Sequence, residues 1–229
     1  MKLLYEGKSK KVYEISDNEV FVEFKDEVTA FNAQVKAEFK GKGYYTFKIS
    51  SLLFELLKSK GIPTHYIEPD TNGFKAYKVK ILPVEVVLRN RAAGSIVKRL
   101  GIPENTEFRP PLIEFFYKSD ELGDPLVCKE HILRFGWMGE EELKEVEALA
   151  FEITKILTDF FAEKNLLLVD IKYEFGITND NRIVLADEIS PDTFRVWTVK
   201  GESLDKDVFR KEGKNVVEVY KKLYETLVG

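Results

Sequence analysis

The stretch Leu168-Val169-Asp170-Ile171-Lys172-Tyr173-Glu174-Phe175-Gly176 sets three ionisable side chains at alternate positions. On a strand every second side chain shares a face, so Asp170, Lys172 and Glu174 point one way and Ile171, Tyr173 and Phe175 the other. Such a charged face is either an ion ladder in water or the wall of a cleft. The apolar run Leu166-Leu167-Leu168-Val169 just before it favours the cleft, because a strand leaving a core delivers its next charges to a rim. Across a short turn lies Ile183-Val184-Leu185-Ala186-Asp187-Glu188, and a hairpin register centred on that turn makes Glu174 and Asp187 neighbours on one face. Converging carboxylates repel, and a hard divalent cation such as Mg²⁺ carrying phosphate relieves the repulsion. Lys172 can pair with the carboxylates on either side of it or touch a phosphate. That chemistry belongs to a nucleotide.

Three further segments carry anion-binding chemistry. Glu6-Gly7-Lys8-Ser9-Lys10-Lys11-Val12-Tyr13 puts a flexible glycine and lysines at a tight strand-turn-strand, where exposed N–H groups and ammonium charges suit a polyphosphate. The spacing is neither that of a P-loop nor that of a dinucleotide fingerprint, and a solvated lysine-rich turn explains the segment equally well. In Pro83-Val84-Glu85-Val86-Val87-Leu88-Arg89-Asn90-Arg91-Ala92-Ala93-Gly94-Ser95 an apolar strand runs into two arginines and a Gly-Ser turn. These groups suit a monophosphate through bidentate guanidinium contacts, backbone donors and a hydroxyl, and two surface arginines at a strand end are the alternative. Ser190-Pro191-Asp192 reads as a turn, with Arg195 beyond it as a third anion contact. His65 and His131 have no partner at metal spacing and are read as packing or surface residues. Cys128 has no basic neighbour in sequence and is expected to be a buried structural thiol.

These groups need a scaffold, and its outline is legible. Short alternating runs at residues 3–5, 11–15 and 20–24, punctuated by Gly7 and Ser16-Asp17-Asn18, predict an antiparallel meander. Tyr45, Ile49, Leu52, Leu53, Leu56 and Leu57 predict a helix over 44–60, stopped by Gly61-Ile62-Pro63. Strands follow at 64–68, 74–82 and 84–89, with Pro83 interrupting the last two and marking a lobe boundary. A long amphipathic helix from Gly139 to Asn165, strands at 166–176 and 182–188 and a final helix at 215–227 complete an α+β order. Composition narrows the function. A net charge of -4 argues against a general nucleic-acid backbone binder, and no apolar run is long enough to span a membrane. The early lysines and glycine give no export signal, and the single cysteine suits the cytoplasm.

Together these segments resemble the phosphoribosylaminoimidazole-succinocarboxamide synthase (SAICAR synthetase) family over essentially the whole chain. Ile81 to Ser95, with Pro83, Glu85, Arg89, Gly94 and Ser95, and Leu168 to Gly176, with Asp170, Lys172, Glu174, Phe175 and Gly176, carry the likeness most specifically. Gly7-Lys8-Ser9-Lys10, Thr29-Ala30-Phe31-Asn32 and Asp187 to Arg195 support it in the expected order. The resemblance implies a β-rich ATP-binding lobe of kinase N-lobe or ATP-grasp-like kind over residues 1–82, packed against a larger α+β lobe over residues 83–229, with the active site in the cleft. It implies an ATP-dependent ligase that phosphorylates the carboxylate of a carboxyaminoimidazole ribonucleotide, after which the amine of L-aspartate attacks the acyl phosphate. By the family's pattern, Lys8, Ser9, Lys10 and Lys118 face the ATP phosphates and Val12, Val20, Val22 and backbone near Ile81 face adenine. Glu174 and Asp187 hold Mg²⁺, Lys172 contacts phosphate, Arg89, Ser95 and Arg195 grip the ribonucleotide phosphate, and Asp170 sits beside the imidazole. A homodimer is expected at family level. No compact motif marks the L-aspartate pocket. A kinase-like phosphotransferase is the runner-up, weakened by the lack of His-Arg-Asp and Asp-Phe-Gly signatures, and a nucleotide-sensing module is the non-enzymatic alternative.

Overall fold

The computed structural model describes residues 1–30, 35–213 and 215–229. The predicted meander is present as β1 (Lys2–Glu6), β2 (Lys10–Glu14) and β3 (Glu19–Phe24), paired antiparallel in sequence order. A separate ribbon of β4 (Glu27–Ala30) and β5 (Val35–Glu38) follows. Of Thr29-Ala30-Phe31-Asn32, the last two therefore lie outside the described residues. Helix α1 (Lys42–Ser59) leads to β6 (Tyr66–Asp70) and β7 (Gly73–Tyr77), which extend the meander to a five-stranded sheet in the order β1-β2-β3-β7-β6. The apolar spacing of α1 explains its seat: Phe47, Leu53, Phe54 and Leu57 are buried against Val20, Val22, Phe24 and Phe74 of that sheet.

A larger antiparallel sheet forms the rest. Its strands are β8 (Lys80–Arg91), β9 (Glu107–Tyr117), β10 (Leu126–Val127), β11 (Leu166–Ile177), β12 (Ile183–Ala186) and β13 (Phe194–Thr198). The order is β10-β9-β8-β11, and the far edge of β11 is shared, its first half pairing with β13 and its second half with β12. Helices α2 (Ser95–Leu100), α3 (Lys129–Arg134), α4 (Glu140–Glu163), α5 (Asp207–Glu212) and α6 (Val216–Val228) connect and cover it. In α4 the residues Val146, Ala150, Ile153, Leu157 and Phe161 are buried, and each large side chain so removed from water contributes roughly 1.5–3 kcal/mol. Glu142 accepts the Gly139 N–H at 2.7 Å and satisfies one donor at the start of that helix. The buried Thr154 hydroxyl meets the Tyr173 hydroxyl at 2.9 Å, fixing α4 to the middle of β11.

Two expectations are corrected here. Pro83 does not interrupt the chain: β8 runs unbroken from Lys80 to Arg91. The register Val84↔Tyr117 places Pro83 opposite Lys118, one residue beyond the end of β9, and the Pro83 carbonyl accepts the Lys118 N–H at 3.0 Å. A missing N–H is harmless where the ladder runs out. Cys128 is not buried; it stands exposed at the N-cap of α3, on the surface side of a six-residue helix that buries only Ile132. The two sheets are tied where the chain leaving α1 runs along β12, with His65 N–H donating to the Leu185 carbonyl at 2.8 Å and Leu185 N–H to the Pro63 carbonyl at 2.9 Å.

Candidate functional site

β11 crosses the middle of the larger sheet, which is why its charged face becomes a site and not a solvated ladder. Ile171, Tyr173 and Phe175 are buried in the core on one side, and on the other Asp170 and Glu174 are also buried. Buried carboxylates require partners. Lys172 donates to Glu174 at 2.9 Å and to Glu85 on the neighbouring β8 at 2.7 Å, and Lys118 also pairs with Glu174. Burial works against ionisation of Glu174, but Lys172, Lys118 and Lys10 more than offset it and hold its carboxyl well below the usual range. Burial likewise opposes the Lys172 charge, and Glu174 and Glu85 keep that ammonium protonated far above its ordinary pKa. Across β11, Glu174 stands opposite Ala186, so Asp187 is the first residue past β12, where a φ of 63° turns it out of the ladder.

That turn delivers Asp187 to a cavity of about 520 Å³ between the two sheets, whose wall also holds Lys10, Lys118 and Glu174. Most of the remaining wall is apolar, with Val12, Val20, Val22, Val79, Ile81 and Pro83 among its residues. A slot with an apolar floor and a charged mouth suits a flat heterocycle bearing a polyphosphate. Lys10 pairs with Asp187 and, at 3.2 Å, with Glu188. Burial opposes its charge, and Asp187, Glu188 and Glu174 outweigh burial and raise its pKa. Glu174 and Asp187 are hard oxygen donors held by lysines that can be handed to phosphate, so a divalent cation and a polyphosphate can enter by exchanging partners without stranding a charge. Among the described residues no group of three or more His, Cys, Asp or Glu forms a protein-only metal cage. A Mg²⁺ ion held by two carboxylates and phosphate oxygens needs none.

Other positions fall differently. Lys8 is exposed and donates to Asp120 at 2.7 Å, and the Ser9 hydroxyl donates to Glu188 at 3.1 Å; neither lines the cavity, nor does Lys172. Arg91 turns away to Asn105, at 3.1 Å from its side-chain oxygen. Arg89, Ser95, Asp170 and Arg195 do come together. Register pairs Asp170 with Arg89 on one side of β11 and Arg195 on the other. The Asp170 carboxylate accepts from Arg89 Nη1 at 2.6 Å and from Arg195 Nη1 at 2.9 and 3.0 Å, and Arg89 Nη2 reaches the Ser95 hydroxyl at 3.2 Å. Glu114 and Asp207 hold the far sides of the two arginines at 2.7 and 2.8 Å. Burial opposes the Arg195 charge, and Asp170 and Asp207 offset it and raise its pKa. Arg99 and Arg210 join at the edges, so among the directly ion-paired groups four arginines meet three carboxylates, an excess of guanidinium donors that an anion can use. Gly94 is required there: its φ is 65°, and a Cβ on it would lie 2.4 Å from Arg195 Nη2.

Sequence reasoning passed over several residues of this region. His65 is buried, lines the cavity and meets the Asp187 carbonyl at 3.0 Å, with burial pushing its ring down to about 4, so it is neutral and donates. Glu188 and Glu85 hold Lys10 and Lys172, and Asp192 accepts from Lys42 and, at 2.8 Å, from the Tyr220 hydroxyl. Glu188 was visible as half of an acidic pair and Glu85 within the Ile81–Ser95 likeness; the pairings themselves join residues 28 to 150 apart and left no local signal.

Residues 3–227 match the family profile described as SAICAR synthetase. A phosphoribosylaminoimidazole-succinocarboxamide synthase of Thermococcus sibiricus is 47% identical over 228 residues, covering 99% of this chain and 97% of that protein. One of the same name from Persephonella marina is 49% identical over 227 residues, covering 98% and 95%. Among solved structures, a SAICAR synthetase (Type-2) in complex with ADP is similar at a TM-score of 0.96 and 44% identity, over 100% of this chain and 98% of that one.

Proposed function

The chain belongs to the SAICAR synthetase family, and on that premise we propose a division of labour among the residues of its cleft. The enzyme is an ATP-dependent ligase of de novo purine biosynthesis. It joins L-aspartate to the carboxylate of 5-amino-1-(5-phospho-D-ribosyl)imidazole-4-carboxylate through an acyl phosphate, giving SAICAR, ADP and phosphate. One observation carries the proposal: the cavity whose wall holds Lys10, Lys118, Glu174 and Asp187 opens beside the β8–β11 pair that carries Arg89 and Asp170, with Arg195 on β13 across β11.

In this reading Val12, Val20, Val22 and Ile81 enclose adenine, and Lys10 and Lys118 exchange their carboxylates for ATP phosphates, with Lys8 and Ser9 on the same turn. Glu174 and Asp187 would hold Mg²⁺, which supplies charge neutralisation on the transferring phosphoryl group. Lys172, fixed between Glu85 and Glu174, offers its ammonium to the phosphoryl group as negative charge spreads over it. Arg89, Arg195 and Ser95 take the ribonucleotide phosphate, whose oxygens fit the surplus guanidinium donors, and Asp170 fixes the two guanidinium planes beside the imidazole. No nucleophile from the chain is needed: positioning and charge complementarity suffice for both steps. The division into an ATP-binding lobe, residues 1–82, and a substrate lobe, residues 83–229, belongs to the same proposal. So does a homodimer working in the cytoplasm on small molecules, with no nucleic acid or membrane partner; no helix of the described residues is long and apolar enough to cross a membrane.

A coupled assay tests the reading. ADP release that requires both the carboxyaminoimidazole ribonucleotide and L-aspartate is the expected result. Release indifferent to aspartate would identify a phosphotransferase, and tight ATP binding without turnover a sensing module.

A further inference from the structure

Glu188 is buried in the cleft, and no role in binding or chemistry has yet fallen to it. One of its oxygens accepts from the Ser9 hydroxyl at 3.1 Å and from the Lys10 ammonium at 3.2 Å; the other is held by the Ser190 hydroxyl. Ser9 ends the turn between β1 and β2 and Lys10 begins β2, 179 and 178 residues from Glu188, so this carboxylate fastens that corner to the larger sheet. Its adjacent residue, Asp187, pairs with the same ammonium.

Lys10 therefore has two carboxylates that differ in their futures. Asp187 is turned into the cavity by its left-handed backbone, whereas Glu188 is pinned from behind by Ser190 and is not free to change partner. If Asp187 were the sole partner of Lys10, capture of Asp187 by a divalent cation would leave a long flexible side chain with no anchor beside a second cation that repels it. With Glu188 in place the ammonium keeps one fixed partner, and its remaining N–H groups turn to phosphate. We infer that Glu188 is a positioning residue that retains Lys10 and Ser9 over the cleft and presents Lys10 to the nucleotide phosphates once Asp187 has changed partner; the inference rests on the reading that Asp187 takes the metal.

The test is calorimetric binding of ADP to the full chain, with and without Mg²⁺. Glu188→Gln keeps the size and one acceptor but removes the charge. It is expected to weaken Mg²⁺–ADP binding about 10-fold, the scale of one charge-assisted hydrogen bond, and metal-free ADP binding less than about 2-fold, because Asp187 still holds Lys10 there. In a Lys10→Ala background the same substitution should add less than about 2-fold in either condition. An equal loss with and without Mg²⁺, a loss that persists without Lys10, or no loss at all overturns the inference. Asp187→Asn is the separate control on the underlying reading: if ADP binding to that variant keeps its full Mg²⁺ dependence, the metal assignment falls. Should Glu188→Gln fail to show a thermal transition, Ser190→Ala, which unpins the other oxygen, should give the same metal-dependent loss at about 3-fold, and its absence overturns the inference equally.

Discussion

Replacing Asp170 by asparagine separates the stability of the arginine cluster from its use. The carboxylate accepts three contacts of 3.0 Å or less from the buried Arg89 and the partly buried Arg195. Asparagine retains one acceptor oxygen and turns an N–H₂ toward a guanidinium N–H, so at least one contact becomes donor against donor. Four arginines would then face two carboxylates. Breaking a buried ion pair by removing one partner costs about 3–5 kcal/mol, which for a chain of this length is a fall in Tm of about 6–20 °C. The surplus positive charge also makes the cluster a stronger phosphate trap. Scanning calorimetry with ribose 5-phosphate should therefore show a larger ligand-induced rise in Tm for Asp170→Asn than for the parent, even as kcat falls because the guanidinium planes are no longer fixed beside the substrate ring. Parent-like stability with full activity would refute the reasoning, and so would a smaller phosphate-induced shift.

Val12→Trp should fill the apolar end of the cavity and raise KM for ATP at least 10-fold (an order-of-magnitude expectation from lost pocket volume), with KM for the ribonucleotide unchanged in steady-state kinetics. Gly94→Ala forces a side chain onto a left-handed backbone and against Arg195. A stability loss of about 1–3 kcal/mol in urea titration is expected, with a raised ribonucleotide KM, and an unchanged KM would show that Arg195 does not grip that ligand. Burial and the neighbouring Asp207 push the Asp205 carboxyl up to about 7. A folded pKa above the unfolded one of about 3.9 stabilises below that value and loses the contribution as pH rises towards 7, so Asp205→Asn should gain on the parent by up to about 4 kcal/mol between pH 4 and 8. A difference in urea stability that stays constant over that window would show that Asp205 does not titrate there.

The meander, α1, α4, the β11–β12 hairpin and α6 were legible because each writes its own period into consecutive residues. β9 was not, since Arg109-Pro110-Pro111 interrupts any alternation and the strand is held by its neighbour β8 through the register from Val84↔Tyr117 to Arg89↔Leu112. Pro83 misled for the complementary reason: its cost depends on whether an acceptor stands opposite, which only the end of β9 decides. In the site, spacing along β11 gave the three charges and their common face. It could not give Arg89 and Arg195 as the flanks of Asp170, because those are register facts, nor the outward turn of Arg91, which Asn105 and Glu107 determine. A symmetric register placed Glu174 and Asp187 on one face, yet Asp187 arrives at the cavity by leaving the ladder.

β8 carries Ile81 at the cavity between the sheets and Arg89 at the arginine cluster, within one continuous strand. Fully extended, those eight steps at about 3.3 Å each would reach about 26 Å. The antiparallel partner β11 joins the same two ends in six steps, about 20 Å, with Gly176 opposite Ile81 and Asp170 opposite Arg89; β8 takes up its two extra residues in a bulge between Ile81 and Glu85, so the shorter span is the true one. The separation between the two ends of the cleft is therefore metered by the pitch of one pair of hydrogen-bonded backbones. Loops elsewhere can lengthen or shorten without touching it, whereas one residue added to or removed from either strand would both change the gauge by about 3 Å and invert the faces beyond that point.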